Sequence, residues 1–232
     1  MRGKFISLEG LDFTGKTTQL SLLAARIEAY TGAAPRLLRE PGGTAAGERI
    51  RSVLKSETLS LTPLTELLLF NAARAQLVHE VIEPALDRGE VVLCDRFYHS
   101  TIAYQCYGRG LPEEFVRPII ERTVANCAPD LVLVLTLPDE ERKLRRLARS
   151  GEQDRYDAAG AEFTNRVEFG FTMLSVQELN LVRQVQATGT VQEVSEKLWE
   201  RVKPVLSSVT RAEIQLEAPV ALPAPALPPV QV

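Results

Sequence analysis

Short, continuous apolar runs alternate along this chain with longer stretches in which apolar residues recur every third or fourth position, from residue 4 to about residue 206. The short runs are residues 4–9, 35–39, 91–95, 131–135 and 181–186. Bounded by glycine, proline or charge, they predict parallel strands; residues 4–9 and 91–95 read as buried, and Leu131-Val132-Leu133-Val134-Leu135, the most apolar run, as a central strand. Between them, Leu20, Leu23, Ala24 and Ile27 predict a helix over 16–30 that Gly32 closes. A short helix spans 45–55. Thr62 as N-cap and Pro63 in the first turn open a long helix predicted to run to about Asp87. Further helices are predicted at 112–127, from Pro138, at about 160–180 on the stripe Phe163, Val167, Phe171 and Leu174, and at 190–206. Strand followed by helix throughout predicts an α/β fold, a parallel sheet covered on both faces.

The pattern stops at about residue 209, where Pro219 to Pro229 is dominated by proline and alanine. Such a composition buries no core, so 1–208 is predicted as one folded domain and 209–232 as a disordered tail. The 232 residues are 45% hydrophobic and 25% charged, enough for a substantial core. A net charge of −3 argues against bulk electrostatic binding of nucleic acid or an anionic membrane, so any polyanion must be held by a local site. Residues 1–20 hold no apolar stretch of secretory-signal length, and nothing approaches a membrane span. The expectation is a cytoplasmic protein with no nucleic-acid or membrane partner. Cys94, Cys106 and Cys127 share no metal-ligand spacing with each other or with His79 and His99. They are expected to be reduced and mostly packed.

The first strand runs into Gly10-Leu11-Asp12-Phe13-Thr14-Gly15-Lys16-Thr17, the G-x-x-x-x-G-K-[ST] spacing of a phosphate-binding loop. Glycines let the backbone wrap an anion, and the following helix adds the partial positive charge of its N-terminus. Lys16 supplies a full charge for β- and γ-phosphates, and the Thr17 hydroxyl is placed to ligate Mg²⁺. The loop predicts a nucleoside triphosphate at Gly10 to Thr17. Asp95 ends a strand where P-loop NTPases carry a carboxylate that orients Mg²⁺. Arg96 follows at once, and Ser100, Tyr104 and Gln105 recur on one helical face. Arg39-Glu40-Pro41-Gly42-Gly43-Thr44 lies at another strand's carboxyl end, where open α/β sheets bind ligands. Phe70 and Arg74 are four apart and share a face, which suits a nucleobase, but spacing alone favours a core phenylalanine beside an unrelated surface arginine. The basic run Arg142, Lys143, Arg145, Arg146 and Arg149 leads into a polar segment ending at Arg155. It reads either as a solvated helix face or, beside a triphosphate site, as a closing lid over about 145–158.

Together, Leu8-Glu9-Gly10-Leu11-Asp12, Gly15-Lys16-Thr17-Thr18-Gln19, Arg39 to Thr44, Phe70 with Arg74, Asp95 to Ser100 and Ala103-Tyr104-Gln105 resemble the thymidylate kinase family, motif by motif and in order, over residues 4 to about 205. The resemblance implies a P-loop NTPase three-layer sandwich with a five-stranded parallel sheet and a short lid. It also implies ATP and Mg²⁺ as co-substrates, dTMP as acceptor, and a homodimer. On that resemblance, Phe70 stacks on thymine, Arg74 hydrogen-bonds its edge, and Ser100 and Gln105 face the base. Tyr104 crowds the 2′ position, Asp12 holds the 3′-hydroxyl, and Arg39 and Arg96 hold the acceptor phosphate. Lys16, Arg96 and a lid arginine, Arg155 or Arg149, carry the catalytic electrostatics, with Thr17 and Asp95 on the metal. Position 13 departs from the family, which commonly has glycine or, in one subgroup, an arginine that reaches the transferring phosphoryl. Phe13 cannot do so, and its bulk either tightens the acceptor pocket or packs outward. The rival readings are a kinase of the same fold for another nucleoside monophosphate, and a non-catalytic ATP-binding regulator.

Overall fold

The computed structural model describes residues 2–148 and 160–207. The lid positions Arg149 and Arg155 and the tail from 209 lie outside the described residues. Five strands form one parallel sheet: β1 (Lys4–Glu9), β2 (Arg36–Arg39), β3 (Val91–Asp95), β4 (Leu131–Thr136) and β5 (Val182–Gln186), in the order β2-β3-β1-β4-β5. β1 pairs with β3 from Lys4↔Val91 to Leu8↔Asp95, and β2 pairs with β3 up to Arg39↔Asp95. This register brings Glu9, Arg39 and Asp95 to one edge of the sheet.

Alternating residues of β1, β3 and β4 feed two separate cores, which is why these three strands read as continuous apolar runs. Ile6, Leu8, Leu93 and Leu133 pack with Leu20, Leu23 and Ile27 of α1 (Lys16–Thr31) and with Val194, Leu198 and Val202 of α9 (Val191–Leu206). Phe5, Val92, Cys94 and Val132 face the other way. They meet Leu67 and Leu77 of α3 (Pro63–Leu77), Ile120 of α6 (Glu113–Val124), and Val167 and Phe171 of α8 (Gly160–Gln177). α2 (Ala45–Lys55) packs on α3, and α7 (Asp139–Ala148) follows β4 with no buried residue. The remaining short helices are α4 (Glu83–Asp87) and α5 (Tyr98–Thr101).

Local chemistry sets the helix ends. Thr62 caps α3 ahead of Pro63 and Gly32 closes α1 at φ 82, both as expected, and Thr190 with Glu193 forms a capping box on α9. The long helix predicted to about Asp87 differs in one respect: Val78–Ile82 is π-helical, and Glu83 N–H reaches Val78 O. Pro84 has no N–H to continue an α-helical ladder, and the wider turn absorbs its ring. A second π-helical segment, Ile102–Gly108, continues α5, with Arg109 N–H bonded to Tyr104 O at 2.9 Å. All three cysteines are buried and unpaired, Cys94 in the middle of the sheet, and burial raises each thiol above its usual range, Cys106 to about 12. No helix among the described residues is long and apolar enough to cross a membrane.

Candidate active site

The carboxyl ends of β1, β2 and β3 open into a cavity of about 1110 Å³, large for a single ligand site. One wall is the loop between β1 and α1. Gly10 lies at φ 123, and a Cβ there would sit 2.4 Å from Leu135 O, so the loop can lie against β4 only with glycine. Gly15 caps α1 at φ 95, a region that side chains rarely enter. Thr14 Oγ1 bonds Leu11 O at 2.9 Å, and the Leu11 side chain is buried in the core. Gly10, Leu11 and Thr14 therefore shape the loop, whereas Asp12, Phe13, Gly15, Lys16 and Thr17 line the cavity. α1 starts at Lys16, leaving its first-turn N–H groups unpaired within the helix and aimed at the loop's anion position.

Lys16 Nζ rests on the carbonyls of Gly10 (3.1 Å) and Leu11 (2.8 Å) and lies 3.8 Å from Asp12 Oδ1. Burial, with the Arg96 charge adding to it, pulls the Lys16 ammonium down to about 8 against the opposing pull of Asp12 and Asp95. In the free protein the cationic form is therefore lost as pH rises through about 8. A triphosphate beside it favours the cation and restores the charge. We expect kcat/KM for ATP to fall as pH is raised through 8, while kcat at saturating ATP holds to higher pH; parallel profiles of the two constants check this.

At the end of β3, Arg96 adopts φ 71, a conformation that costs on the order of 1 kcal/mol or more for a residue with a side chain. Glu9 holds the turn: its Oε1 accepts from Phe97 N–H at 2.7 Å and its Oε2 from Ser100 Oγ at 2.5 Å. Burial raises the Glu9 carboxyl, with His99, Ser100 and Arg96 opposing. The Arg96 guanidinium bonds Gly10 O (2.9 Å), Ser100 Oγ (3.1 Å) and Asp12 Oδ1 (2.7 Å), and lies 5.2 Å from the Tyr104 ring. Partial desolvation would raise the Asp12 carboxyl, but the Arg96 and Lys16 charges more than reverse this and hold it well below the usual range. Thr17 Oγ1 lies 3.4 Å from Asp95 Oδ2, and Asp95 Oδ1 is buried without a hydrogen-bond partner among the described residues. A hydroxyl next to a carboxylate with a spare buried oxygen is a donor set that fits a hard divalent cation.

The far wall carries Phe70, Arg74, Thr101, Tyr104 and Gln105. Here the structure reverses what spacing favours: Arg74 is the buried partner at 1% exposure, and Phe70 is partly exposed on the cavity. Arg74 pairs with Glu40 Oε2 through Nε (2.9 Å) and Nη2 (2.8 Å), and donates to Asn71 Oδ1 (3.2 Å) and Thr101 Oγ1 (2.9 Å). Removing one partner of such a buried pair costs about 3–5 kcal/mol. Ser100 lines the cavity as well, its hydroxyl donating to Glu9 Oε2 and accepting from Arg96, while the neighbouring Thr101 accepts from Arg74. Gln105 is buried with its amide 3.4 Å from Glu66, which also holds Arg109 at 3.0 Å.

Arg39 lines the cavity half-exposed and paired with Glu48 at 3.1 Å, and Arg51 and Lys55 of α2 line it too. Sequence reasoning missed these two, as well as Glu9, Glu40 and Thr101, although Glu40 stood inside a segment already marked as ligand-binding. Arg145 of α7 bonds Thr14 O (3.4 Å) and Ala187 O (3.0 Å), tying α7 to the phosphate loop. Phe13, at φ 67, lines the main cavity and also a small one of about 40 Å³ against Arg142, Arg146 and Phe163. It forms a wall shared by both.

The comparisons with known proteins point the same way. The family model described as thymidylate kinase matches residues 8–198. A thymidylate kinase of Syntrophotalea carbinolica is 43% identical over 201 residues, covering 84% of this chain and 93% of that protein. One of Pelotomaculum thermopropionicum is 46% identical over 190 residues, covering 81% and 87%. A crystal structure of thymidylate kinase from Ehrlichia chaffeensis superposes with a TM-score of 0.70 at 30% identity, covering 88% of this chain and 99% of that one. With the fold, the loop and the cavity in agreement, the chain belongs to the thymidylate kinase family.

Proposed function

We infer that the chain phosphorylates dTMP to dTDP with ATP, supplying the precursor of dTTP, and that the residues lining the large cavity divide between the two nucleotides. The observation that carries this is that the phosphate loop, Phe70, Arg74 and Tyr104 line one cavity, with Arg96 bonded to Gly10 O and Asp12 of the loop and lying 5.2 Å from the Tyr104 ring. ATP is the donor, its phosphates held by the loop backbone, Lys16 and the α1 N-terminus. Phe70 stacks on the acceptor base and Arg74 reads its edge, with Thr101 and Gln105 beside them. Tyr104 faces the sugar, Asp12 takes the 3′-hydroxyl, and Arg96 and Arg39 hold the acceptor phosphate. Thr17 and Asp95 would hold Mg²⁺, which when bound neutralises charge on the β- and γ-phosphates. The acceptor is a phosphate oxygen, already ionised at neutral pH, so no strong general base is required. Positioning and charge neutralisation carry the reaction. The chain acts as a homodimer; Leu64 and Leu68 of α3 and Phe115 of α6, all exposed, support an apolar contact there.

An ADP-release assay with ATP, Mg²⁺ and each nucleoside monophosphate in turn tests the reading. Strong turnover is expected with dTMP, less with dUMP, and little with UMP or AMP. Turnover with another monophosphate but not dTMP would overturn the base assignment, and ATP binding without any acceptor turnover would restore the regulatory reading.

A further inference from the structure

Glu40 is buried at the cavity wall, and none of the expected contacts with either nucleotide involves it. Its backbone N–H bonds Asp95 O at 2.9 Å, and the segment after it is pinned by Arg51 Nη1 on Pro41 O (2.9 Å) and Glu48 on Gly43 N–H (2.9 Å). The carboxylate is thus delivered rigidly to Arg74. An arginine carries five N–H groups. Those on Nε and Nη2 and one on Nη1 are taken up by Glu40, Thr101 and Asn71, leaving one Nη1 N–H without an acceptor among the described residues. Asn71 is itself fixed, its Oδ1 also accepting from Thr123 at 3.0 Å. The Phe97 ring lies 5.4 Å from the guanidinium.

We propose that Glu40 is a positioning residue for acceptor choice: it locks the Arg74 fork so that the one remaining N–H meets a carbonyl at position 4 of a pyrimidine. That selects keto bases, thymine and uracil, over cytosine, which presents an amino group at that place and would set donor against donor. The inference rests on the base-reading role given to Arg74 above.

The test measures KM and kcat for dTMP and dCMP in the parent, Glu40→Gln, Arg74→Met and the double variant, with thermal melting of each. Glu40→Gln is expected to raise KM for dTMP at least about tenfold, leave kcat within about threefold, and leave kcat/KM for dCMP at the parental level, so that discrimination falls. In the Arg74→Met background, Glu40→Gln should add less than about twofold, because the two act as a unit. A folded Glu40→Gln protein with parental KM for dTMP overturns the proposal, as do effects that multiply in the double variant. Arg74→Met with parental KM removes the base-reading role itself, a separate and recognisable failure. Should Glu40→Gln not fold, Glu40→Asp keeps the charge but shortens the reach, and it must show the same rise in KM.

Discussion

Arg96→Ala is expected to keep the fold and lower turnover by about 10²–10³-fold, the scale on which removal of one pre-organised charge-stabilising donor acts. The substitution leaves the strained backbone alone, since alanine at φ 71 carries the same Cβ restriction as arginine. Asp12 loses its 2.7 Å partner, but its side chain is about half exposed at 48% and water takes over the hydrogen bonds. Ser100 keeps its bond to Glu9. The damage falls on electrostatics in the cleft, where the guanidinium joins Gly10 O, Asp12 and Ser100 and therefore links both halves of the site. Steady-state turnover together with thermal melting checks this. A kcat within tenfold of the parent, with melting unchanged, would sink the assignment of Arg96 to the transferring or accepting phosphate. Arg96→Gly provides a control: it relieves the positive φ, so it should melt no lower than Arg96→Ala while being equally inactive.

Lys16→Ala is expected to lower kcat/KM for ATP by about 10²–10³-fold on the same scale, with little loss of stability. The sign of the stability effect follows from the depressed titration of this amine. Burial disfavours its charged form, so at neutral pH the fold bears a cost for holding the cation there. Deleting the amine removes that cost and releases the Gly10 and Leu11 carbonyls, which lose a donor but lie beside an open cavity that admits water. Melting at pH 7 and at pH 9 separates the terms. The parent should gain stability relative to Lys16→Ala as pH rises through 8, because the parent amine then becomes neutral. A variant that binds and turns over ATP normally would show that the loop backbone alone suffices.

Much of the fold is legible because its causes are local. Buried parallel strands demand unbroken apolar runs, and caps such as Thr62 and Gly32 act within one turn of chain. The phosphate loop is legible for the same reason. The wall that carries Phe70 and Arg74 is not, because its order comes from partners far apart in the chain. Arg74 looks like a surface residue until Glu40, 34 positions earlier, arrives from the loop after β2 and neutralises it. The role of Thr101 is equally hidden, because it accepts from Arg74, a residue 27 positions earlier. Arg51 and Lys55 stand on an amphipathic helix whose charged side reads as solvated until α2 is placed at the rim of the cavity. Phe13 remains the clearest local irregularity, a bulky side chain in the left-handed region that serves as a partition.

The three buried thiols make the protein its own set of slow clocks. Cys94 is fully enclosed in the strand that carries Asp95, Cys106 sits next to Gln105 in the π-helical segment, and Cys127 lies just beyond α6. Burial keeps each of them protonated, so an alkylating reagent labels them only when the chain around them opens. Labelling rates at the three positions therefore time the breathing of the sheet, the π-helical segment and the outer helix separately, with no substitution introduced.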